Sequence, residues 1–169
     1  KWTKSTATII LDSDTFDEKG LKKAGFATED PVKELKIEDR TIIFAAITSL
    51  TKESLKDSGL DPKAIVRSKN MFTLGMCYYM FNRPLEFTFK YIKKKFKKNP
   101  ALIDANQKVL QDGFNYASNI QAIPNTYKIE PAKLKKGLYR NINGNQATAW
   151  GLLAASEKSG RHLFWGSYR

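Results

Sequence analysis

The apolar positions of this chain fall into two kinds of run. The first is strand-like: Thr6-Ala-Thr-Ile-Ile-Leu11 is rich in β-branched residues, and Thr41-Ile-Ile-Phe-Ala-Ala-Ile47 has no polar alternation. The second run predicts a strand covered on both faces in an α/β sheet. Between them, Asp14-Thr-Phe-Asp17 has strand-to-helix turn chemistry, with Asp14 placed to cap a short helix and Asp17 to return to its first amides. A helix is predicted around Thr51 to Ser58, stopped by Gly59 and then Pro62.

The rest is helical in period. From Ala64 to Phe81, apolar residues lie on every side, which describes one helix buried in a larger assembly and the most buried cover of the sheet. Gly75 in its middle lets another backbone come close. After Arg83-Pro84, the residues Leu85, Phe89, Ile92 and Phe96 recur at helical spacing, with lysines over the remaining surface. Asn99-Pro100 supplies an N-cap and a first-turn proline, and Leu102, Asn106, Val109, Leu110, Gly113, Phe114 and Ala117 mark one face of a further helix. Proline, asparagine and glycine then interrupt Ser118 to Asn143, which reads as an interdomain linker. Asn143-Gly144-Asn145 opens a small-residue helix, and a short buried strand is predicted from His162 to Tyr168.

Both ends look cut. The strand near Thr6 begins within a few residues of Lys1, and the strand from His162 stops at Arg169, so a sheet edge and an apolar face are expected to lack cover.

Composition narrows the classes. The 169 residues are 41% apolar and 12% aromatic, enough for one ordinary globular core. The single cysteine, Cys77, leaves no disulfide framework and no thiolate cluster, which points to a reducing, cytoplasmic compartment. No apolar run approaches the roughly 20 residues needed to cross a bilayer, so no membrane partner is expected. A net charge of +12 raises nucleic acid as a partner, but much of the excess is local, with six lysines between Lys90 and Lys98. Because Phe89, Ile92 and Phe96 share one stripe, the aromatics there are expected to face the core and the lysines solvent. A free-standing basic module binding nucleic acid through Lys90–Lys98 is the alternative.

Little chemistry is self-contained. Asp12, Asp14, Asp17 and Glu18 form the densest acidic group, and paired carboxylates can serve acid/base work or Mg²⁺. Their positions at strand and helix ends favour a structural role. His162, the one histidine, has no partner pattern, and Cys77 lies in the most apolar helix, where a thiol behaves as a small hydrophobe.

Three ordered stretches resemble one family. Ser68 to Met80, with Asn82-Arg-Pro84, the lysine-rich helix through Phe96, Asn106 to Leu110 and Gly113 to Tyr116, is similar to the later half of the gamma domain of 2-oxoacid:acceptor oxidoreductases. Tyr139-Arg-Asn-Ile-Asn-Gly-Asn-Gln-Ala147 resembles the glycine-asparagine opening of that family's alpha domain. Phe164-Trp-Gly-Ser-Tyr168 matches the approach to its Tyr-Pro-Ile-Thr-Pro motif.

The resemblance implies an α/β fold: a truncated Rossmann-like gamma domain with appended helices over 1–120, a linker over 121–142, and the first helix and strand of a second α/β domain, the pyrimidine-binding alpha domain, over 143–169. It implies a fragment of the alpha subunit of a two-subunit 2-oxoacid:ferredoxin oxidoreductase, with 2-oxoglutarate the first choice of substrate. Such enzymes decarboxylate a 2-oxoacid on thiamine diphosphate with Mg²⁺, pass electrons through an iron–sulfur cluster to ferredoxin, and deliver the acyl group to coenzyme A. The implied partners are the beta subunit and, through the complex, ferredoxin. Only Tyr168 carries over from the substrate motif, since Arg169 stands where its proline belongs. No catalytic, cofactor or metal residue is therefore expected within the segment, whose implied role is structural and in assembly.

Overall fold

The computed structural model describes residues 4–120, 123 and 126–166. The chain divides into two compact units, Lys1–Glu130 and Pro131–Arg169.

In the first unit, β1 (Thr8–Asp12) leads through a 3₁₀ turn (Ser13–Thr15), α1 (Glu18–Ala24) and α2 (Pro31–Glu34) to β2 (Thr41–Ala45). The two strands are parallel, with Thr8 opposite Thr41 and Asp12 opposite Ala45. Parallel pairing obliges such a crossover, because a hairpin cannot return the chain in the same direction. The sheet, of these two strands among the described residues, is covered on one face only. Ile43 and Ala45 are buried while Thr41 and Phe44 are exposed, contrary to the expected two-sided cover. The ring of Phe16 meets Phe44 edge-on at 6.3 Å on the outer face.

The helical half begins with α3 (Ile47–Ser54), four residues before the expected helix. The helix predicted over 64–81 is instead two, α4 (Pro62–Arg67) and α5 (Lys69–Met80). Asp61 accepts from the amides of Lys63 and Ala64, which starts α4 early with Pro62 in its first turn. At Ser68 the backbone switches to three-residue bonds: its N–H donates to Ile65, and its carbonyl accepts from Met71. The two helices are thus separated by a tightened turn.

α5 joins the core that holds Ile43 and Ala45, but its main partner is α7 (Pro100–Asn119) rather than the sheet. The expectation for Gly75 holds in detail. A Cβ there would lie 2.1 Å from the carbonyl oxygen of Leu110, and one on Gly113 would lie 2.0 Å from that of Phe72. Two glycines, one on each helix, let the backbones touch, and Met76, Val109 and Leu110 pack at full burial around them. A second cluster, Leu85, Ile92 and Leu110 with Phe89 and Phe96 against it, holds α6 (Glu86–Lys95) to α5 and α7. The chain beyond α7 also packs on this unit: the N–H of Tyr127 donates to the carbonyl of Met80, and its ring lies 5.6 Å from that of Phe81.

In the second unit, α8 (Gly144–Ser159) starts at a complete capping box, in which Asn143 accepts from the Gln146 amide and Gln146 accepts from that of Asn143. Gly160 ends it at φ +66°. No residue of α8 is buried. The expected closing strand does not form over 161–166, which run without regular structure. A strand needs a hydrogen-bonding neighbour, and the described residues of this unit offer none.

Candidate functional site

In parallel α/β sheets, chemistry gathers outside the carboxyl ends of the strands. Here that edge carries Asp12, at the end of β1, and Asp14, in the 3₁₀ turn, facing the start of α3 just beyond β2. A helix start leaves unpaired N–H groups and a partial positive charge, a ready site for an anion. In this chain the anions are its own side chains. Asp12 accepts from the Thr48 amide at 3.2 Å and the Thr48 hydroxyl at 2.6 Å. Asp14 accepts from the Ser49 amide at 2.7 Å and the Ser49 hydroxyl at 3.0 Å. The Lys69 ammonium, at the start of α5, stands 3.6 Å from the second oxygen of Asp12.

Burial pushes the Asp12 carboxyl up, yet the two Thr48 hydrogen bonds, the Lys69 charge and the Asp14 amide outweigh it, and the group titrates below its usual value. Asp12 is therefore a fixed carboxylate, not a proton donor.

The four acidic residues grouped in sequence do not share a site. Asp17 caps α1 by accepting from the Gly20 amide at 2.7 Å, and Glu18 pairs with Lys22 at 2.6 Å on the surface. The cap expected from Asp14 on the first short helix is supplied by Asp12, which accepts from the Asp14 amide. Asp14 instead caps α3, a long-range role that no local spacing shows.

Cys77 is half-buried on α5 beside Leu74, Tyr78, Phe81, Arg83 and Ile129, which line a shallow apolar groove. Burial pushes its thiol up, so it stays protonated at neutral pH. His162 is exposed. Tyr168, the residue expected at the edge of a substrate motif, lies outside the described residues. In the second unit, Leu152, Leu163 and Trp165 line an apolar cleft along α8, and the Arg140 guanidinium stands 5.9 Å from the centre of the Trp150 ring.

The residues present do not fit an iron–sulfur cluster. An iron–sulfur cluster takes four thiolates, and the sequence has one cysteine. No three His, Cys, Asp or Glu side chains converge among the described residues, and the Asp12 and Asp14 carboxylates already serve the amides and hydroxyls of α3. No described helix is long and apolar enough to cross a membrane.

Comparison with known proteins agrees with the family resemblance. The chain is 36% identical over 160 residues to 2-oxoglutarate oxidoreductase subunit KorA of Mycobacterium tuberculosis, a match that covers 95% of this chain and 24% of that protein. It thus spans about a quarter of the relative's length. No solved structure matches. Residues 1–116 match the family described as pyruvate ferredoxin/flavodoxin oxidoreductase. On that match over most of its length, the chain belongs to the pyruvate ferredoxin/flavodoxin oxidoreductase family.

Proposed function

We propose that the chain is a part of the alpha subunit of a thiamine-diphosphate-dependent 2-oxoacid:ferredoxin oxidoreductase, and that this part packs and assembles the subunit rather than reacting with substrate. The reaction of the whole enzyme is oxidative decarboxylation of a 2-oxoacid, 2-oxoglutarate first, to an acyl-CoA with electrons passed to ferredoxin in the cytoplasm. The observation that carries the reading is the extent of the KorA match, which runs over nearly the whole chain and is named for 2-oxoglutarate. The segment's own role is supported by how its polar groups are used: Asp12, Asp14, Thr48, Ser49 and Lys69 satisfy one another at the strand ends. In this reading, residues 1–120 form the later part of a Rossmann-like gamma domain, 121–142 a linker, and 143–169 the start of the alpha domain, with Tyr168 at the edge of its substrate motif. The parallel pair β1–β2 with its helical crossover supports the Rossmann-like assignment.

Expressing the complete gene with its neighbouring beta-subunit gene tests the proposal. Viologen reduction that requires both coenzyme A and 2-oxoglutarate is the expected result. The 169-residue chain alone should neither catalyse it nor release heat when titrated with thiamine diphosphate and Mg²⁺. An assembled pair that reduces viologen with no 2-oxoacid at all would overturn the reading.

A further inference from the structure

The lysine-rich helix carries a feature that its core-facing stripe does not explain. Leu85, Phe89, Ile92 and Phe96 face inward as expected. Phe87 and Tyr91 do not: they are 74% and 59% exposed, although both are large and aromatic. With Lys90 and Lys94, also exposed, they occupy positions i, i+3, i+4 and i+7, a single stripe on the side of α6 opposite the core. The ammonium of Lys95 lies 5.7 Å from the centre of the Tyr91 ring and borders the stripe.

The charge of this stripe is uncompensated. Some lysines elsewhere in the chain do pair with a carboxylate three or four residues away, as in Lys22–Glu18, Lys56–Glu53 and Lys108–Asp112. None of the six lysines from Lys90 to Lys98 has a carboxylate partner among the described residues, and Glu86 is the one acid on the helix. Two exposed aromatic rings flanked by unpaired cations reproduce, on one helix face, the apolar centre and charged rim of a protein interface.

We propose that this face of α6 docks an acidic protein surface, one that places apolar side chains against Phe87 and Tyr91 and carboxylates against Lys90, Lys94 and Lys95. The shape argues against the other polyanions. Single-stranded nucleic acid is held in a basic groove that follows several nucleotides, whereas this stripe is convex and spans about 12 Å at the helical rise of about 1.5 Å per residue. A membrane-surface helix buries a broad apolar face in lipid, and the broad apolar face of α6 is already occupied by α5 and α7. The docking surface makes no demand on the thiamine reading and stands apart from it.

The full 169-residue chain can be tested by fluorescence anisotropy with three probes: a labelled peptide alternating glutamates with leucines, a peptide of glutamates alone, and oligothymidine. Phosphatidylserine vesicles are tested by co-sedimentation. The glutamate–leucine peptide should bind about tenfold more tightly than the all-glutamate one, and Phe87→Ser with Tyr91→Ser should remove that difference with the net charge unchanged. Neutralising Lys90, Lys94 and Lys95 to Gln should weaken binding about tenfold or more, whereas neutralising Lys133, Lys135 and Lys136, the same number of charges, should change it less than about twofold. Both α6 variants should melt with the wild-type chain, since every altered side chain is exposed. Equal losses from the two lysine sets would show attraction by net charge alone and overturn the proposal. So would no binding of the glutamate–leucine peptide, or tighter aromatic-dependent binding of oligothymidine or the vesicles.

Discussion

The α5–α7 contact and α8 are built from similar residues and meet opposite fates. Both use small residues and large apolar ones: Gly75, Gly113, Met76 and Leu110 in the first, Gly151, Ala154, Ala155 and Leu153 in the second. In the first pair, the glycines bring two backbones into contact and the neighbouring side chains reach full burial. On α8 nothing is buried, and a Cβ on Gly151 would meet no atom within 4 Å. The difference teaches that a helix can be specified by its ends while its burial is specified only by its neighbours. α8 has a complete capping box and a left-handed glycine stop, which define it locally. α5 has no side-chain cap and a break before it, and its definition comes from what it packs against.

Five substitutions probe this contrast, each read by urea or thermal unfolding unless stated. The largest effect is expected of Gly75→Ala. Its new methyl would meet a backbone carbonyl that cannot turn aside, so a loss beyond about 3 kcal/mol is expected. A loss below about 1 kcal/mol would mean that the helices part cheaply. Next, Leu110→Ala should cost about 3 kcal/mol by leaving a cavity at a fully buried position, while Leu153→Ala on the exposed face of α8 should stay within about 0.5 kcal/mol. Similar values for the two would erase the contrast.

Third, Asp12→Asn should cost about 1 to 2 kcal/mol at neutral pH, mainly by removing the carboxylate from the α3 start. The pH dependence has a definite sign. Because the native Asp12 carboxyl titrates below its ordinary value of 3.8, its contribution is fully present above that value and is lost as pH falls through the lower native one. The variant should therefore lose less stability than wild type on acidification below about pH 4. An identical acid limb would refute the assignment. Smallest, Asn143→Ala should destabilise α8 by about 1 kcal/mol, seen as faster amide exchange over Gly144–Ser159, with exchange in α5 and α7 unchanged.

Elements with local signals were legible in the sequence. Asn99-Pro100 did mark the start of α7, Asn143 the start of α8, and Gly75 a backbone approach. The inward set Leu85, Phe89, Ile92 and Phe96 followed from spacing alone. What is not legible locally depends on distant partners. α3 began at Ile47 rather than Thr51 because its caps come from Asp12 and Asp14, and its own N-cap, Ala46, makes no side-chain hydrogen bond. The all-apolar composition of β2 suggested cover on both sides, but Phe44 lies open on the outer face. The same spacing suggested aromatics facing the core, but Phe87 and Tyr91 fall on the opposite side of the helix and are exposed.

The carboxylate staple at the strand ends also bears on how the molecule folds. Asp12 and Thr48 are separated by 36 positions in the chain, and Asp14 and Ser49 by 35. The first turn of α3 therefore gains its caps only after β1 and β2 have been brought side by side, at the entropic cost of closing that loop. α3 is tied to tertiary order at its start, whereas α8 can form from adjacent residues on the time scale of an isolated helix, about a microsecond or less.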